Sequence, residues 1–121
     1  MTLANKERGE VVVVLAGREY VMRPTFEALA QIEGRLGVGI VSLLRSISAG
    51  QFGVRDFAAV IHAGIDAGPD RGPSYAEVGR LAAAEGLMGL LPFVTEFLMA
   101  PVEGQGKNRV APTEMAAPAA T

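Results

Sequence analysis

His62 and Asp66 stand four residues apart in a segment with helical spacing, so both side chains face the same side of the predicted helix. A carboxylate that orients an imidazole is the arrangement of a general base. No serine, cysteine or lysine shares that face to act as a nucleophile, and His62 is the single histidine of the chain. We therefore interpret the pair as a boundary histidine on an amphipathic helix, and we expect no catalytic residue.

Two other patterns could bind a ligand, and neither has the required form. The glycines of Gly34-x-x-Gly37-x-Gly39 follow a predicted helix, whereas a dinucleotide-binding loop follows a strand and has the order G-x-G-x-x-G. The carboxylates are scattered without an Asp-x-Asp cluster for Mg²⁺ or Ca²⁺, and the chain has no cysteine. We expect no cofactor and no metal site.

The charge balance argues against a nucleic-acid partner. The 121 residues carry a net charge of −2, so no general basic field attracts phosphates. Arg35, Arg45 and Arg55 fall in successive predicted helices, where they form either a basic patch or ordinary solvated faces. The apolar runs are too short for a signal peptide or a membrane span. These features favour a cytoplasmic protein that binds neither membrane nor nucleic acid.

The pattern of apolar residues predicts a mainly α fold of the α+β class, with one domain over residues 9–100. Val11–Leu15 and Arg18–Met22 favour strands of a β-hairpin spanning 10–23, and we expect Gly17 to take the left-handed site in a type I turn with a bulge. Helical periodicity and caps predict five short helices, at about 25–36, 40–49, 54–67, 75–85 and 87–99. Residues 1–8 are expected to be a flexible lead-in, and residues 101–121 a flexible tail rich in Ala and Pro.

The fifth predicted helix has more apolar surface than a small domain needs. At about 100° per residue its apolar side chains cover nearly half the circumference, and a surface helix needs a stripe only somewhat wider than about 100°. Either the other four helices wrap this helix, or part of its face binds another chain. Met and Phe side chains suit an adaptable groove for an apolar helix. The residues that we expect to bind a partner are Met88, Leu91, Phe93, Phe97 and Met99.

A series of short motifs runs in order through the predicted domain. The motifs are Gly17-Arg18-x-Tyr20, Arg23-Pro24-Thr25-Phe26, Ile32-Glu33, Tyr75-x-Glu77-Val78-Gly79, Ala84-Glu85-Gly86 and Thr95-Glu96-Phe97-Leu98. In this order they resemble the small tail proteins of gene transfer agents and related phages that are classed as tail assembly chaperones. The match covers about residues 9 to 100.

The resemblance implies a non-enzymatic protein of virion morphogenesis, encoded by a phage, a prophage or a gene transfer agent. Such chaperones coat the tape measure protein during tail assembly and then leave the particle. The alternative is a structural component of the tail tube, since some members of the family are described in that way. Tube subunits close rings of β-sheet, and the single predicted hairpin therefore favours the chaperone. A second alternative is a small nucleic-acid-binding regulator, against which the acidic composition argues. A homo-oligomer is also compatible with the sequence, with or without pairing of the hairpin between subunits.

Overall fold

The computed structural model describes residues 4–5 and 8–104, and it confirms a mainly helical fold that begins with a β-hairpin. The strands are β1 (Val11–Leu15) and β2 (Arg18–Met22). The helices are α1 (Phe26–Leu36), α2 (Ile40–Ser48), α3 (Val54–Asp66), α4 (Tyr75–Glu85) and α5 (Leu87–Glu103). Beyond Gly104 the expected tail lies outside the described residues, as does most of the expected lead-in.

The hairpin turn differs from the expected one. Leu15 pairs with Arg18, so only Ala16 and Gly17 form the loop. Both have positive φ, at 52° for Ala16 and 80° for Gly17, which is the conformation of a type I′ turn. The expectation of a type I turn with a bulge is therefore wrong, although Gly17 does take a left-handed conformation. The two-residue loop prevails because the twist of a type I′ turn matches the twist of the strands, even though Ala16 is strained.

Side chains fix the start of the first two helices. Thr25 caps α1 by accepting the N–H of Ala28 on its hydroxyl oxygen at 3.1 Å. The residue before α2 is a glycine, so α2 has no cap of its own. The carboxylate of Glu33 in α1 instead accepts the N–H of Ile40 at 2.9 Å. This bond ties the end of α1 to the start of α2.

The next two helices each form half of a capping box. At α3, Asp56 reaches back and accepts the N–H of Gly53 at 2.7 Å. At α4, Ser74 accepts the N–H of Glu77 at 3.2 Å. The Glu77 carboxylate accepts a hydrogen bond from Arg80 at 2.9 Å. The sequence signal Ser74-x-x-Glu77 therefore marks the start of α4 correctly.

The centre of the molecule is α3, not α5. Eight of the thirteen α3 residues are buried, against four of the seventeen in α5. The α3 helix packs against α1, α4, α5 and β2. Gly64 permits the close approach of the hairpin, because a Cβ there would lie 2.8 Å from Cβ of Met22. The carbonyl of Gly64 also accepts the N–H of Arg23 at 2.9 Å.

The last helix runs further than the periodicity predicts. It continues to Glu103 with Pro92 and Pro101 inside it, so neither proline ends it. Each proline removes one backbone donor, and the missing bonds would have gone to the carbonyls of Met88 and Phe97. Residues 101–103 therefore belong to α5, which corrects the expected start of the tail at residue 101, and they add the exposed Val102 to the helix.

Candidate partner-binding surface

The inner side of α5 belongs to the core. Leu90, Val94, Phe97 and Leu98 are buried, and the helix packs against α2, α3, α4 and β1. These four residues follow the three- and four-residue spacing of one helix face. They account for much of the apolar excess that the sequence shows in this segment.

The five residues expected to bind a partner fall into two groups. Met88 is 71% exposed, and Leu91, Phe93 and Met99 are half-buried. Phe97 is 0% exposed, and its ring lies 3.1 Å from the place where a Cβ on Gly64 would stand. Phe97 therefore has no surface left for a partner, and its inclusion is corrected. It points inward because the hairpin and α3 meet on that side of α5.

A row of side chains runs along α5 beside its buried face. The two ends of the row are exposed, whereas its three middle residues are half-buried and Leu91 packs against the core. At about 100° per residue the members of the row lie within about 40° to 60° of one line along the helix. We call this row the α5 stripe, and its residues are Met88, Leu91, Thr95, Met99 and Val102. It is about 21 Å long, since fourteen steps of about 1.5 Å separate its ends. Phe93 lies on the opposite side of the helix.

The α5 stripe is apolar and uncharged. The only charged residues of α5 are Glu96 and Glu103, and both lie to one side of it. Four of the five side chains are apolar, and the two terminal ones, Met88 and Val102, are 71% and 46% exposed. Their spacing of three and four residues is that of a seam between two helices.

A second exposed apolar side chain lies at the start of α1. Phe26 is 77% exposed, although its spacing with the other apolar residues of α1 suggested a common face. In the motif that contains it, Arg23 pairs with the Glu10 carboxylate at 2.6 Å and Thr25 caps the helix. Phe26 is thus the residue of that motif whose side chain is exposed to solvent. Helical periodicity alone does not predict that Phe26 is exposed.

His62 lies in an open groove of about 690 Å³ formed with Asp66 and the loop 69–74. Partial burial lowers the pKa of His62, the nearby charge of Asp66 acts to raise it, and Arg35 adds to the lowering. The Nδ1 atom lies 3.4 Å from Nε2 of Gln31. Ser74 also lines the groove, but its hydroxyl serves as the cap of α4.

The contacts of His62 among the described residues are with the Gln31 amide and with the edge of the Tyr75 ring. One carboxylate oxygen of Asp70 is buried in the groove without a hydrogen-bond partner. Within residues 4–5 and 8–104, no group of three or more His, Asp or Glu side chains is placed to hold a metal ion. The described helices include none that is long and apolar enough to cross a membrane.

One protein family matches this chain, over residues 8–104, and its description is "Phage tail tube protein, GTA-gp10". The matched range contains both strands and all five described helices. No curated protein and no solved structure matches the chain.

Proposed function

The chain belongs to the family of phage tail tube proteins described as GTA-gp10, and we propose on that basis that it is a structural component of the tail tube of a phage or gene transfer agent. The observation that carries this proposal is the extent of the match, which covers the whole described domain. Other tail proteins are the partners that this role requires. Assembly of the tail would take place in the cytoplasm of the bacterial host.

We also infer that the role is not enzymatic. The description of the family names a part of a particle rather than a reaction. The contacts of His62 agree with this, because its ring nitrogen lies beside the Gln31 amide and its ring meets Tyr75 edge-on. Both are contacts of a packing residue at the border of the core.

A second candidate is a tail assembly chaperone that shelters apolar helices of the tape measure protein. The α5 stripe favours this role, since it offers an uncharged row about 21 Å long with the spacing of a helix-helix seam. The two five-residue strands of the described domain form a very small sheet for a subunit of a β-sheet tube. The proposed contact residues are Met88, Leu91 and Met99 of the stripe. Phe93 was also expected to bind a partner, but it lies on the opposite side of the helix and cannot meet the same partner helix.

The expected strength of this contact suits a reversible complex. Burying about 500 Å² of apolar surface contributes about 12 kcal/mol before the costs of association. Lost rotational and translational freedom and the ordering of side chains remove much of that. Binding in the micromolar range would result, which allows a chaperone to leave when the tube forms.

Purified tails distinguish the two candidates. A tube component remains in the finished particle in many copies, so quantitative mass spectrometry should find it at a ratio comparable with other tail subunits. If the protein is absent from particles whose formation depends on its gene, the tube proposal is overturned and the chaperone is favoured. As a control, deleting the gene and counting the tails shows whether tail formation depends on this protein.

Co-expression with the tape measure protein tests the chaperone directly. The second candidate predicts that the two proteins are purified together and that a Met88→Glu substitution reduces the recovered tape measure protein by about tenfold or more. Val41→Glu is the matched control, because Val41 is an exposed apolar residue of α2 outside the α5 stripe. Equal recovery with both variants would exclude the α5 stripe as the contact surface.

A further inference from the structure

The outer edge of β1 has backbone groups that the hairpin does not use. In a hairpin with a two-residue loop, the residues flanking the loop exchange hydrogen bonds, and so does every second pair after them. Leu15 with Arg18 and Val13 with Tyr20 are therefore bonded pairs. The N–H and C=O groups of Val12 and Val14 point away from β2.

These groups of Val12 and Val14 form no hydrogen bond with another described part of the chain, although β1 itself packs against α4 and α5. No backbone bond outside the hairpin and no side-chain bond among the described residues involves either valine. Val14 is 38% exposed. The edge of β2 differs, because the carbonyl of Val21 lies against Gly68 so closely that a Cβ there would overlap it. Among the described residues, the edge of β2 is thus blocked, whereas the outward backbone groups of β1 have no hydrogen-bond partner; we call this second edge the open edge.

The open edge lacks the usual protection against strand pairing. Natural edge strands carry a lysine, a proline, a bulge or an inward-pointing charge. The β1 strand is Val-Val-Val-Val-Leu, and its register with β2 runs without a bulge from Val11 to Leu15. Such a strand combines high β propensity with no charge.

We propose that β1 pairs with β1 of a second copy of this chain, in an antiparallel sheet with the strand order β2-β1-β1-β2. A two-fold axis at Val13 places Val12 opposite Val14 of the second copy, and Val14 opposite Val12. Both pairs can then exchange two hydrogen bonds, so four bonds satisfy the outward groups of residues 12 and 14 in both copies. This inference stands on the hairpin alone and does not depend on a role in tails.

The chemistry of the edge favours a second copy as the occupant. Two β1 strands meet without charge, so no like-charge repulsion opposes the pairing. On the outer face of the sheet Val14 would lie beside Val12 of the second copy, which is a β-branched pair of the kind that stabilises sheets. The antiparallel register is also self-complementary, as a two-fold interface requires.

Sedimentation equilibrium of the full chain, from about 10 µM to about 1 mM, tests the pairing together with backbone hydrogen exchange. We expect a dimer whose fraction rises with concentration. The amides of Val12 and Val14 should become protected as the dimer forms, whereas the amide of Val13, which is bonded inside the hairpin, is protected at all concentrations.

Val14→Lys should weaken the dimer by about tenfold or more, because it places a charge on each side of the two-fold axis. The hairpin itself should persist, since residue 14 faces Glu19 across the strands and gains an opposite charge there. Val38→Lys is the control, as Val38 is also an exposed valine.

Three results would overturn the proposal. The first is a monomer over the whole concentration range. The second is a dimer that Val14→Lys leaves as strong as before, since it would use another surface. The third is protection of the Val12 and Val14 amides that does not change with concentration, because it would mean that the chain covers this edge itself.

Discussion

The backbone of Ala16 has a strained conformation. Among the described residues it alone combines a side chain with a positive φ, here 52°. A left-handed backbone costs a residue with a Cβ about 1 kcal/mol or more. The hairpin accepts this cost because its strands are tightly paired from Val11 to Leu15.

Ala16→Asn should raise the free energy of unfolding by about 0.5–1 kcal/mol, because Asn tolerates the left-handed region and forms an Asn-Gly turn with Gly17. Urea unfolding followed by circular dichroism measures the change. Gly17→Ala is the opposing control and should lower stability by about 1 kcal/mol, given its φ of 80°. An unchanged or lower stability of the Asn variant would show that the turn is not under strain.

Glu10 is the one buried charged side chain among the described residues. Burial acts to raise the pKa of its carboxyl, but the N–H of Asn5, the guanidinium of Arg23 and the charge of Arg8 together outweigh burial and hold the pKa below the usual 4.5. The Arg23 Nε atom lies 2.6 Å from the carboxylate. This pair links the residue before the hairpin to the residue after it.

Glu10→Gln should lower the free energy of unfolding by about 1–3 kcal/mol at pH 7. The lowered pKa means that this contribution is fully present above the pKa of the unfolded chain and is lost as the pH falls through the folded pKa. The difference between wild type and variant should therefore shrink as the pH falls below about 4.5, the usual pKa of the carboxyl. Denaturant titrations at several pH values measure it.

Glu77→Gln is the matched control for Glu10. Glu77 and Arg80 form an exposed pair at 2.9 Å within one helix, and such pairs contribute about 0.5 kcal/mol or less. A gap between wild type and Glu10→Gln that is equally large at pH 3 and pH 7 would contradict the role assigned to the Glu10 charge.

At the level of elements, α3 organises the domain. Its outer neighbours α1 and α4 pack on it, and the hairpin sits on it through the close contact of Gly64 with Met22. A glycine inside a helix lowers helix stability by about 1 kcal/mol relative to alanine. At Gly64 the fit of the hairpin outweighs that loss.

Two glycine substitutions should have opposite effects. Gly64→Ala should lower the free energy of unfolding by about 1–3 kcal/mol, because its Cβ would stand 2.8 Å from Met22 and 3.1 Å from Phe97. Gly34→Ala in α1 should raise the free energy of unfolding by about 0.5–1 kcal/mol, because the added Cβ would have no atom of a neighbouring element within 4 Å. Chemical denaturation of both variants measures this. A gain in stability with Gly64→Ala as well would mean that helix propensity, not packing, decides at Gly64.

At the level of the whole molecule, the two sides of α5 differ in burial. Its inner side completes the core, whereas Met88 and Val102 at the ends of the α5 stripe are exposed. We expect the inner side to contribute to folding, and the chaperone hypothesis assigns binding to the stripe. Substitutions in α5 should therefore separate stability from binding.

Phe97→Ala should destabilise the protein by about 3–5 kcal/mol, since it empties a fully buried site. Met88→Ala should change stability by no more than about 0.5 kcal/mol, because the side chain is largely exposed. Thermal and denaturant unfolding compare the two. A large loss with Met88→Ala would indicate that a part of the chain outside residues 8–104 covers the start of α5.

The strands and helices of this protein could be predicted from local sequence patterns. A β-branched run and a partly alternating segment predict the two strands, helical periodicity predicts all five helices, and Thr25 and Ser74 mark two helix starts to within a residue. These features are local, because a cap or a periodic row depends on residues within one or two turns of each other. Only the end of α5 was placed several residues too early, since two prolines interrupt its pattern.

Which helix lies at the centre, and which apolar side chains are buried, depend on contacts between elements and could not be predicted from local patterns. Periodicity shows that α5 has a wide apolar arc, but it cannot show where α3 and the hairpin meet that arc. Their contact buries Phe97 and leaves Met88 in solvent. Phe26 is exposed for the same reason, since a helix face is buried only where another element lies over it. The position of such neighbours is set by contacts between residues far apart in the chain.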